Sequence, residues 1–61
     1  MRIECLDFWR LPEWAREIVL NLPAEELAAL VADVKKVPFG FVIDDDGLWY
    51  RSVLLGRFGA P

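Results

Sequence analysis

The sequence predicts an α+β domain of β-α-α-β-β order, with two amphipathic helices packed on a small antiparallel sheet that ends in a carboxy-terminal β-hairpin. Three observations predict it. Two apolar stripes of helical period each begin beside a proline. Two runs of strand-forming residues flank the stretch "DDDG". The amino-terminal "RIECLDF" alternates weakly, in the manner of a short strand. Residues 1–61 are enough for one small domain and no more.

In the first strand, Ile3 and Cys5 oppose Arg2 and Glu4. Pro12 then falls where a helix accepts it, in the first turn, because its missing N–H would have been unpaired there anyway. From that point Leu11, Trp14, Ala15, Ile18, Val19 and Leu22 recur at three- and four-residue spacing, while Glu13, Arg16 and Glu17 take the other face. Pro23 ends this helix and opens a second, with Asn21 or Leu22 as the expected N-cap. Leu27, Leu30, Val31 and Val34 form the second stripe, and Ala28, Ala29 and Ala32 widen it with small residues. Glu25 and Glu26 in the first turn and Lys35 and Lys36 in the last complement the helix dipole, and Pro38 stops the helix.

The last third reads as a hairpin. Phe39, Phe41 and Ile43 alternate with Gly40 and Val42, and "LWYRSVLL" reads as one continuous strand. A three-residue loop ending on Gly47 pairs Ile43 with Trp49, Phe41 with Arg51 and Phe39 with Val53, all on the core face. The other face then carries Val42, Tyr50, Ser52 and Leu54. A four-residue loop would shift every pair by one. Asp44, Asp45 and Asp46 read as a solvated turn. Calcium loops place their ligands at alternate positions, and adjacent side chains diverge too much to share one magnesium ion easily.

Composition bounds the function. The net charge is −3, from ten acids and seven bases, which argues against a dedicated nucleic-acid binder. With no histidine there is no conventional Ser–His or Cys–His pair. One cysteine makes neither an internal disulfide nor a structural zinc site. Cys5 has no basic neighbour to activate it and reads as a packed thiol, and Ser52 lacks a base. No catalytic residue, metal or cofactor is therefore implied. The amino terminus lacks the apolar segment of a signal peptide, and no run reaches the length of a membrane span, so a cytoplasmic location is expected. Trp14 and Trp49 are expected in the core, whereas one of Phe8 and Trp9 points away from it.

A chain this short struggles to bury enough surface, and association is the supplement left open. Hydrophobic residues make up 56% of it. The expectation is a small non-enzymatic module that self-associates as a homodimer and regulates or caps a partner protein. Val42, Tyr50 and Leu54 are the expected binding residues.

One family resemblance offers an alternative. The order strand, proline-started helix, second helix and a strand entering "DDGLWYR" resembles the amino-terminal two thirds of RelE/HigB-type toxins over residues 1–52. Gly47, Leu48, Trp49 and Arg51 match that family's GL-aromatic-E-L-R segment, with Tyr50 in place of the acid and leucine and a spacing one residue shorter. The resemblance implies a ribosome-dependent messenger-RNA endoribonuclease, or an inactive derivative, with Arg51 and Arg57 contacting phosphate. The chain ends where the family's further strands would follow, and it is acidic where the toxins are basic.

Overall fold

The computed structural model describes residues 1–57. Strand β1 (Ile3–Leu6) leads through a single 3-10 turn at Phe8–Arg10 into helix α1 (Glu13–Leu20) and helix α2 (Ala24–Lys36). Strands β2 (Phe41–Ile43), β3 (Gly47–Tyr50) and β4 (Val53–Arg57) follow. All four strands form one antiparallel sheet in the order β1-β2-β3-β4. The α+β class and the two central helices are as expected, and the sheet has one strand more.

That extra strand corrects the expectation of an unbroken "LWYRSVLL". The chain reverses at Arg51 and Ser52, both at positive φ (47° and 73°), the type I′ arrangement of two-residue hairpins. Nothing local announces it, because such turns usually carry Asn or Gly. Each residue forced into this region gives up about 1–2 kcal/mol. Ser52→Gly is therefore expected to stabilise the domain by about 1 kcal/mol, raising the urea midpoint at unchanged slope. An unaltered midpoint would mean that this turn is not strained.

The helices begin one residue later than their prolines suggest. Pro12 and Pro23 occupy the N-cap positions themselves, and their carbonyls accept from the first turn, Ala15 and Arg16 in α1 and Leu27 in α2. Neither Asn21 nor Leu22 caps α2. The Asn21 amide instead closes the end of α1, with Nδ2 donating to the Glu17 carbonyl at 2.8 Å.

Both helices lie on one face of the sheet. Leu11 from the link before α1, Ala15 and Val19 from α1, Leu30 from α2, and Phe41, Leu48 and Tyr50 from the sheet form one buried cluster. Trp14, Ile18, Leu22, Leu27 and Val34 pack around it, as their stripes require, whereas Val31, expected in the second stripe, is exposed. Helix α1 approaches β4 closely because Gly56 has no side chain. A Cβ there would stand 2.7 Å from Ile18 Cγ2.

The register follows the four-residue loop. Phe41 pairs with Tyr50, Val42 with Trp49 and Ile43 with Leu48. This one-residue slip exchanges the faces of β3 relative to expectation. Tyr50 enters the core at 3% exposure, edge-on to Phe41 with ring centroids 4.9 Å apart, and Trp49 turns to the opposite face. Phe39 and Val53, expected inside, are exposed.

Tyr50 finds a partner for its hydroxyl by donating to the Val37 carbonyl at 2.8 Å. Burial raises its pKa above the ordinary 10.0, the nearby Asp33 carboxylate adds to this, and the Arg51 charge opposes it. The unfolded chain then loses the phenolic proton first. This contribution to stability is complete below pH 10.0 and is lost as pH rises through the folded value. Wild type is expected to lose stability more steeply than Tyr50→Phe in that alkaline window. Parallel slopes in urea melts across it would contradict the assignment.

Candidate functional site

The sheet's outer face carries the first candidate surface. Cross-strand pairing sets Val42 on β2 beside Trp49 on β3, and Trp49 beside Leu54 on β4. These three half-buried side chains form a row on the face opposite Phe41, Leu48 and Tyr50, and none belongs to the buried cluster, although Leu54 also borders the groove beside α2. Of the residues expected on this face, Val42 and Leu54 are here. Tyr50 is not, because the register slip replaces it with Trp49. The row has a charged border on the β1 side. Arg2 Nε lies 3.4 Å from Glu4 Oε1, and Arg2 Nη1 lies 3.7 Å from Asp44 Oδ2.

The "DDDG" stretch divides its labour. Asp44 Oδ1 accepts three hydrogen bonds, from the Asp46 N–H at 2.9 Å, the Gly47 N–H at 3.1 Å and the Trp49 indole Nε1–H at 3.0 Å. The first two close an Asx turn. The third ties the turn to the outer face and orients the indole. Desolvation alone would raise the Asp44 pKa, but these donors and the Arg2 guanidinium outweigh it and hold the carboxyl below its ordinary value. Asp45 faces solvent and meets the amino-terminal ammonium at 2.8 Å. Asp46 is exposed. The three carboxylates do not converge, and among the described residues no cluster of three potential metal ligands forms.

Arg51 and Arg57, the residues singled out by the toxin resemblance, lie at opposite ends of β4. Arg51 is in the hairpin turn and Arg57 is opposite Gly47. Cys5 is exposed, contrary to the expectation of a packed thiol, because β1 is irregular between Ile3 and Leu6 and Cys5 takes a positive φ of 59°. Trp9 is the member of its pair that points outward, at 80% exposure.

A groove of about 480 Å³ runs between α2 and β4. Leu22, Ala29, Leu30 and Leu55 line its apolar part, and Glu26, Asp33 and Arg51 stand at its edge. Sequence reasoning missed this feature. The only signal was that Glu26, Ala29 and Asp33 share one flank of α2 at helical spacing. A second groove, of about 370 Å³, lies where β1 and β2 meet the start of α1, lined by Ile3, Leu6, Trp14 and Ile43 among others.

Comparison of the chain with family models, characterised proteins and solved structures found no significant match. Among the described residues no helix is long and apolar enough to cross a membrane.

Proposed function

We propose that this chain is a small cytoplasmic protein-binding module without catalytic chemistry of its own, and that it pairs with a second copy through the outer face of its sheet. The observation that supports this reading is the row Val42, Trp49 and Leu54 on the face that neither helix covers. Apolar side chains within a charged border are the ordinary anatomy of an interface, and tryptophan is enriched where binding energy concentrates. Two-fold pairing is the commonest closed arrangement, and it sets the row against the same row of the second copy. Association would also add buried surface that so short a chain lacks.

Light scattering over a range of concentrations tests the reading. The expected result is a dimer that Val42→Lys converts to a monomer with unchanged far-UV circular dichroism, since symmetry introduces the charge twice. A folded wild-type monomer at high micromolar concentration would remove the proposal. Ribosome-dependent RNA cleavage that is lost in Arg51→Ala would replace it with the nuclease alternative.

A further inference from the structure

We infer that the groove between α2 and β4 receives an extended, basic segment of another protein, added to the sheet as a fifth strand along β4. The inference rests on the binding-module reading and names a second surface for it, which shares only Leu54 with the outer face.

Three features coincide here. Among the described residues strand β4 is an edge of the sheet, and the alternation of an antiparallel ladder directs the N–H and C=O of every second edge residue outward. Its register shifts opposite Leu48 and Trp49, making Leu55 an extra residue before pairing resumes at Gly56 and Arg57. The usable edge is therefore Val53–Leu55, the same three residues that line the groove. An added strand sends alternate side chains to the two sides of the sheet. Those on the helix side would enter the groove, where Leu22, Leu30 and Leu55 are already partly desolvated and Ala29 leaves room. Val53, at 60% exposure, would gain cover.

Charge decides the kind of segment. Glu26 and Asp33 rise from α2 along the groove and neither forms a salt bridge among the described residues. Arg51 stands at the hairpin end, so the three groups leave the groove with one net negative charge. Apolar side chains alternating with lysine or arginine complement it, and acidic segments do not. Backbone pairing would supply affinity, and the groove would supply selection, as in other cases of strand addition.

Fluorescence anisotropy with labelled peptides of alternating Val-Lys, Val-Glu and Ser-Gly tests this. Saturable binding is expected for Val-Lys alone, with amide resonances of Val53–Leu55 shifting on titration. The double change Glu26→Gln and Asp33→Asn should weaken it about fivefold. Glu13→Gln with Glu17→Gln removes the same charge from α1, away from the groove, and should leave it unchanged. Ala29→Arg should block the groove while the helix persists by circular dichroism. Equal binding of Val-Lys and Val-Glu, equal loss in the two charge-matched double variants, or shifts confined to Val42 and Trp49 would each overturn the inference. Binding retained in the monomeric Val42→Lys variant separates this surface from the dimer face. No binding in either form would refute the groove alone and leave the dimer proposal standing.

Discussion

Phe41→Ala is expected to cost about 3–5 kcal/mol, the usual range for deleting a buried aromatic ring. Phe41 is fully buried, sits in the centre of the sheet and carries the Tyr50 ring against its own. Its pairing with both Leu6 and Tyr50 makes it the residue through which three strands share the core. Domains hold roughly 0.05–0.15 kcal/mol of stability per residue, which for 61 residues is about 3–9 kcal/mol. The truncation therefore removes between a third and all of the total, and the variant should be unfolded or nearly so at room temperature. Phe41→Leu leaves less empty volume and should remain folded. Val31→Ala, on the exposed flank of α2, should stay within about 0.5 kcal/mol of wild type. Urea melts of the three variants give the order directly. A Phe41→Ala midpoint no lower than that of Val31→Ala would mean that the core is not centred on Phe41.

Gly47→Ala is the second large effect expected, about 1–3 kcal/mol from backbone strain. Gly47 is buried at the start of β3 with φ at 151°, a region that side chains rarely enter. Its backbone is held on both sides. The N–H donates to Asp44 Oδ1, and the carbonyl accepts from the Asp44 N–H at 3.1 Å. It therefore cannot relax without opening the Asx turn and releasing the Trp49 indole. Asp45→Asn and Asp46→Asn, by contrast, should change little, like ordinary surface substitutions. A metal site at this tip would reverse the order. The Asp→Asn changes would then dominate, and magnesium or calcium would raise the melting temperature by mass action. Thermal melts with and without the ions separate the two outcomes, and the glycine is expected to dominate.

Both predictions concern the hairpin, where expectation and structure part most. Asp44 was one of three equivalent carboxylates in the sequence. Two of its donors come from the local Asx turn, and it gains the third, the indole, because Trp49 lies on its side of the sheet, a consequence of register and not of composition. The groove was illegible for a similar reason. One wall comes from Leu22 and α2 and the other from the stretch between Tyr50 and Leu55, which are separated along the chain and meet only through packing.

The sequence by itself determined the helices. Leu11, Ala15, Val19 and Leu30 occupy the buried positions their period assigns, and Pro12, Pro23 and the lysines at the end of α2 mark the boundaries to within a residue. These are local matters, set by spacing along one segment. It determined also that strands meet at "DDDG". Only the tertiary structure decided which way the strands face. Val42, Ile43, Leu48, Trp49 and Tyr50 are all apolar or aromatic, so alternation cannot tell inside from outside, and a slip of one residue costs nothing in local pattern. The helix layer settles it by admitting Phe41, Leu48 and Tyr50 together. The same packing accepts Arg51 and Ser52 at positive φ, because folding β4 back onto β3 gains more than those two residues lose.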